Sequence, residues 1–253
     1  MSSDSFVRSA VDAAAWDLFG QKNKVKIWEY LKLENPKLAS PSNFTIGIGS
    51  PEYVKNQIEK YPWTSYKLKL GTDQDEAVLL EAAKTTDRRF RLDANGAWDL
   101  VKTKSFLGFC NKSLPQGMIE IIEEPYQGLG EKGMEALKAA SSIPFYADES
   151  FQSIEELTKI NKYFHGVNIK LDKCGGLTPA LKIIKQAKSM GLKIQLGCMS
   201  GSGISIAPAI QISTLADVVD LDATLLIENA DFGVFYENGV VQMSGGFGLG
   251  IAH

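Results

Sequence analysis

From Phe44 onward the chain alternates short apolar runs with longer amphipathic stretches, and this alternation constrains the fold more than any other feature. Runs of strand character fall near 44–48, 65–70, 90–93, 118–122, 145–148, 166–170, 193–196 and 218–221. Helical periodicity fills the intervals, near 51–60, 74–85, 100–109, 131–140, 154–161, 179–190 and 203–214. Strict strand–helix alternation with short loops predicts an α/β fold with a parallel sheet and right-handed crossovers. Eight such strands favour a (β/α)7β TIM-like barrel over an open doubly wound sheet. The glycines after the first run, in Gly47-Ile48-Gly49-Ser50-Pro51, do not match the Gly-x-Gly-x-x-Gly cradle of dinucleotide folds.

The preceding residues have a different texture. Phe6, Ala10, Ala13, Ala14 and Leu18 form an apolar stripe at helical spacing, with Gly20 as a stop signal. A short helix is expected near 27–31, and a linker carrying Pro36 and Pro41 near 35–42. The expected division is therefore a helical segment plus linker over 1–40 and a barrel over 41–253.

Net charge is −3 with both signs interspersed, so there is no basic footprint for nucleic acid. No apolar run approaches the roughly 20 residues that span a bilayer, and residues 1–9 lack a signal-peptide layout. Cys110, Cys174 and Cys198 are odd in number and widely spaced, which fits neither a disulfide framework nor a zinc site. They read as buried small hydrophobes in a reducing compartment, and a cytoplasmic location is expected. The two histidines are His165, in a loop-like context, and the terminal His253, so an acid/base role falls to other residues.

In a barrel the chemistry sits at the C-terminal ends of the strands. There the second run ends in Lys67 and Lys69, the third in Asp93, the fourth in Glu123 and the fifth in Asp148. The sixth ends in Lys170, and the eighth carries Asp220 and Asp222. Carboxylates from three consecutive strands converge, and they cannot crowd together ionised without a cation. All-oxygen ligation suits a hard ion, so Asp93, Glu123 and Asp148 are the expected ligands of Mg2+. Lys69 and Lys170 come from strands half a barrel apart. Lysines near other cations and out of water release a proton readily, and two flanking one carbon suggest 1,1-proton transfer. Lys67 would add positive charge beside a substrate carboxylate.

The motifs Lys67-x-Lys69, Leu92-Asp93-Ala94-Asn95, Ile122-Glu123-Glu124-Pro125, Ala147-Asp148-Glu149-Ser150 and Ile169-Lys170-Leu171 with Lys173-Cys174-Gly175-Gly176 occur in this order. Together they resemble the muconate lactonizing enzyme subgroup of the enolase superfamily, over about 45–250. The resemblance implies metal ligands Asp93, Glu123 and Asp148 and acid/base lysines Lys69 and Lys170. Within the subgroup, Val219-Asp220-Leu221-Asp222-Ala223 resembles the Asp-x-Asp motif of dipeptide epimerases, whose aspartates bind a dipeptide α-ammonium. Alternate strand positions share a face and paired carboxylates suit an ammonium, which agrees with that role.

The resemblance implies Mg2+-dependent epimerisation of an L-Ala-L-Glu-like dipeptide through an enediolate. The small-molecule dipeptide is then the partner, with a homo-oligomer left open. Alternatives are o-succinylbenzoate synthesis, N-acylamino acid racemisation, cycloisomerisation, or an inactive truncated barrel. Two departures from the family pattern stand out. Residues 1–40 match only the helical tail of the family's N-terminal capping domain, so the lid strands are expected to be missing or supplied elsewhere. Gly201 stands where relatives commonly carry a polar or acidic side chain.

Overall fold

Strand and helix alternate as the sequence predicts in a computed structural model that describes residues 3–126, 130 and 133–252. The chain opens with helices α1 (Ser3–Asn23) and α2 (Ile27–Tyr30), then strand β1 (Phe44–Ile46) and α3 (Pro51–Lys60). β2 (Ser65–Lys69), α4 (Asp75–Thr85), β3 (Arg89–Asp93), α5 (Leu100–Ser113), β4 (Ile119–Glu123), α6 (Met134–Ala140) and β5 (Phe145–Ala147) follow. Next come α7 (Leu157–Tyr163), β6 (Gly166–Lys170), α8 (Leu171–Cys174), α9 (Leu177–Ser189), β7 (Lys193–Gly197), α10 (Gly203–Ile210) and β8 (Val218–Asp220). A hairpin of β9 (Val234–Glu237) and β10 (Val240–Met243) comes last. Strand order follows chain order from β1 to β8. The helix expected over 131–140 is described only from Met134, since Glu131 and Lys132 lie outside the described residues, as does His253.

The chain divides into two compact units. The central unit is Asn43–Phe151 with Glu155–Val167. In it, Leu68, Leu92 and Ile122 pair across β2, β3 and β4 and are at most 1% exposed. Burying each such side chain contributes roughly 1.5–3 kcal/mol. The helices supply the matching apolar residues, among them Val54, Leu79 and Phe106. Their starts are written locally. The Ser50 side chain accepts from Tyr53 N–H ahead of Pro51, and the Asp99 side chain accepts from Lys102 N–H. β1 stops at Ile46, short of the expected 48, and Ile48 is exposed.

The terminal unit is Met1–Ser42, Gln152–Ile154 and Asn168–His253. Here α1 packs on α8 and α9. Trp16 Nε1 donates to Thr178 Oγ1 at 2.9 Å, and Asp12 Oδ2 accepts from Thr178 N–H at 3.1 Å. Two expectations about α1 are corrected. Phe6 and Leu18 of the apolar stripe are exposed, 38% and 56%, while Ser5, Ser9 and Gly20 are buried. The side that packs meets Gly175 and Gly176, which Arg8 and Asp12 approach closely, so small and polar residues face inward. Gly20 also does not end the helix, which runs to Asn23. A Cβ at Gly20 would lie 2.4 Å from Gly248 Cα, so the glycine permits a backbone crossing.

Candidate active site

The strand register builds the centre of the site. Lys69 pairs with Asp93 across β2 and β3, and Asp93 with Glu123 across β3 and β4. These residues share one row at the C-terminal ends of their strands. Lys67 lies two residues before Lys69 and so shares its face. The side chains meet: Lys67 Nζ is 2.8 Å from Glu123 Oε2 and 3.0 Å from Asp93 Oδ2, and Lys69 Nζ is 2.6 Å from Asp93 Oδ2. Asp93 is 0% exposed, Glu123 1% and Lys67 4%. Burial pushes the Asp93 carboxyl up, but the charges of Lys67 and Lys69 outweigh it and hold the pKa below its ordinary value. Lys67 is therefore no solvated strand-end lysine. It is a buried cation shared by two carboxylates.

Asp148 immediately follows β5 and is buried. Its placement depends on a residue that the sequence motifs contain but to which they assign no role. Glu124 turns its backbone into the left-handed region, φ 37°, just after β4. Its carboxylate then reaches β5's end: Oε2 accepts from Asp148 N–H at 2.8 Å and Ser150 N–H at 3.2 Å, and Oε1 accepts from Ser150 Oγ. A buried non-glycine residue at positive φ costs on the order of 1–3 kcal/mol and persists only where its surroundings hold it. Burial pushes the Glu124 carboxyl up to about 7 despite these donors. Asn95, also left-handed at φ 45°, performs the parallel task after β3. It accepts from Lys69 Nζ at 3.1 Å and donates to Glu149 Oε1 at 3.0 Å. Asp75 braces the loops behind them, accepting from Gly71 N–H, Thr72 N–H and Trp98 Nε1.

The terminal unit carries the remaining expected residues. Lys170 closes β6 and is half-buried. Asp220 ends β8, and Asp222 follows it; they are 5% and 4% exposed. Gln195 Nε2 donates to Asp220 Oδ2 at 3.3 Å. The charges of Asp222, Asp220 and Lys170 all act on the Cys198 thiol. Burial first, then the two carboxylates, raise that thiol's pKa. Burial also pushes Cys110 up to about 12 and Cys174 up to about 11. All three cysteines are free, as the sequence predicts, and all are held as thiols.

The donor set suits a hard divalent ion in chemical type, being carboxylate throughout. Among the described residues no trio of acidic, histidine or cysteine side chains stands gathered around a metal position. The geometry supplies the reason: the Lys67 ammonium sits between Asp93 and Glu123, at the distances given above. A cation already held between two buried carboxylates is the stand-in expected of a cation site, so the residues fit the ion. Asp93, Glu123 and Asp148 would hold it.

Comparison with known proteins places the chain in a family. Residues 51–253 match the family described as enolase C-terminal domain-like. An L-Ala-D/L-amino acid epimerase of Maribacter sp. is 38% identical over 224 residues, covering 88% of this chain and 65% of the relative. One of Flavobacterium johnsoniae, with the same name, is 35% identical, covering 99% of this chain and 74% of the relative. The chain thus spans about two thirds to three quarters of the length of these curated relatives. A solved dipeptide epimerase from Enterococcus faecalis, complexed with Mg and the dipeptide L-Leu-L-Tyr, superposes with a TM-score of 0.85 at 27% identity. That likeness covers 97% of this chain and 72% of the other. Motif order, strand order and these likenesses agree, and the chain belongs to the enolase C-terminal domain-like family, with its (β/α)7β barrel class of fold.

Proposed function

We propose that the protein epimerises a dipeptide of the L-Ala-L-Glu kind at its C-terminal residue, by 1,1-proton transfer through an enediolate. The observation that carries this reading is the ion-paired cluster of buried Lys67, Asp93 and Glu123 with partly exposed Lys69, in a chain whose relatives are named L-Ala-D/L-amino acid epimerases. Lys69 is one acid/base group. Asn95 and Asp93 both hold its ammonium by hydrogen bonds, which aims it and keeps its proton in a defined direction. Lys170 is the second group, returning a proton to the opposite face of the same carbon. Asp93, Glu123 and Asp148 would hold Mg2+, and Glu124 fixes the backbone that presents Asp148. When bound, Mg2+ supplies positive charge for the substrate carboxylate as negative charge develops there. Lys67 adds charge on the same side. Asp220 and Asp222 receive the dipeptide's α-ammonium. Residues 1–40 correspond to the helical remnant of a capping domain and its linker.

Chiral chromatography of L-Ala-L-Glu incubated with the protein and Mg2+ tests the assignment of bases. Lys69→Ala and Lys170→Ala should each abolish formation of the epimer. A fully active Lys170→Ala protein would rule out the two-base route.

A further inference from the structure

The geometry points to Tyr236 and Ser42 as positioning residues for the Asp220–Asp222 pair, clamping the residue between them so that both carboxylates serve one ammonium. This rests on the ammonium-binding role proposed above. The need for such a clamp follows from the backbone. Two aspartates two residues apart share a face only while the chain between them stays extended. β8 ends at Asp220, and Asp222 has already left the strand at φ −101°, ψ 11°, opening the short 3-10 turn Ala223–Leu225. Strand alternation therefore does not set the second carboxylate.

The intervening Leu221 is held at both of its backbone polar groups. Its N–H donates to Ser42 Oγ at 2.9 Å, and its carbonyl accepts from Tyr236 Oη at 2.8 Å. Ser42 and the Leu221 side chain are both 0% exposed, and Ser42 is itself tied by its N–H to Gly239 O at 2.8 Å. A carbonyl can only accept, so the Tyr236 proton points at Leu221, and the Thr224 hydroxyl at 2.9 Å must donate to the phenol oxygen. Thr224 lies two residues past Asp222. One phenol thus fixes the turn on both sides of that aspartate. Burial and then the negative charge of Asp222 and Asp220 raise the Tyr236 pKa, which keeps the phenol protonated and donating.

The hairpin of β9 and β10 exists to deliver that phenol. Its turn is Asn238-Gly239, both at positive φ, and Val240 pairs with Glu237 directly across it. The turn's Gly239 carbonyl is the group that holds Ser42. Hairpin, linker serine and aspartate pair form one mechanical unit.

Calorimetric titration of the protein, in the presence of Mg2+, with L-Ala-L-Glu and with N-propionyl-L-glutamate tests this. The second ligand differs only in lacking the α-ammonium. Tyr236→Phe keeps the ring and removes both hydrogen bonds. It should weaken L-Ala-L-Glu by about tenfold and leave N-propionyl-L-glutamate unchanged. Ser42→Ala should show the same selective loss, and it carries the test if Tyr236→Phe does not fold. Equal losses for both ligands, or no loss for either, overturn the positioning role. Asp220→Asn separates the two levels: if it leaves the preference for the ammonium ligand intact, the ammonium role itself falls.

Discussion

Removing the Lys67 ammonium while keeping its volume, as in Lys67→Met, would strip the shared cation from two buried carboxylates. Asp93 would retain Lys69 at 2.6 Å, but Glu123 would lose the ammonium now 2.8 Å from its Oε2. Breaking a buried pair by deleting one partner costs about 3–5 kcal/mol, because the remaining charge is left buried. For a domain of this size each kcal/mol shifts the melting temperature by about 2–4 °C, so the midpoint should fall by roughly 6–20 °C. The same substitution should favour metal binding. In the native protein an incoming Mg2+ would have to displace an ammonium; in the variant it would not. An ion at 100 times its dissociation constant adds about 2.7 kcal/mol of stability, so the variant should recover much of its loss in saturating Mg2+ and lose it again in a chelator. Thermal melts of both proteins, with Mg2+ and with chelator, read this directly. A variant as stable as the native protein, or one that gains no more from Mg2+ than the native protein gains, would show that Lys67 does not compensate the two carboxylates.

Other consequences follow from particular contacts. His165 Nδ1 accepts the Phe145 N–H at 3.0 Å, and burial, then the Lys138 charge, lower its pKa from 6.5. The unfolded chain then binds the proton more readily, so the stability from this group is complete above pH 6.5 and lost as pH falls toward the folded value. Melts against pH should show the native protein losing ground to His165→Asn, whose Oδ1 can accept the same N–H, below that point; a flat difference contradicts this. Gly20→Ala would ordinarily stabilise a helix interior by about 1 kcal/mol. Here the added Cβ would meet Gly248 Cα at 2.4 Å, so the protein should instead lose roughly 1–2 kcal/mol by denaturant titration. A stabilised variant would show that the crossing is looser than described.

Much of the strand pattern was legible because each element carries its own punctuation. Ser50-Pro51 starts α3 at the expected residue, and β6 occupies Gly166–Lys170 as the apolar run predicts. The carboxylates at strand ends were legible for a similar reason, since a lone acidic residue closing an apolar run needs a purpose. Their pairing was not. Lys67 reads as a strand-end lysine until the register places Glu123 beside it. Glu124 and Asn95 were visible in the motifs, yet their tasks depend on left-handed backbone conformations that no periodicity encodes. The face of α1 is not legible from its apolar stripe, because its packing side meets glycines rather than a hydrophobic layer. The β9–β10 hairpin had a clear local signal in Asn238-Gly239 between apolar runs, but eight strands already satisfied the barrel pattern. At Asp222 strand alternation no longer applies, because the chain has already turned into the 3-10 segment Ala223–Leu225.

Epimerisation requires the site to remove and return the α-proton of a dipeptide's C-terminal residue. Its most direct test is proton NMR of L-Ala-L-Glu in D2O with the protein and Mg2+. Loss of the glutamate α-proton signal, deuterium at that carbon and growth of the L-Ala-D-Glu diastereomer are the expected result. An α-proton signal that persists undiminished, with no second diastereomer, would contradict it.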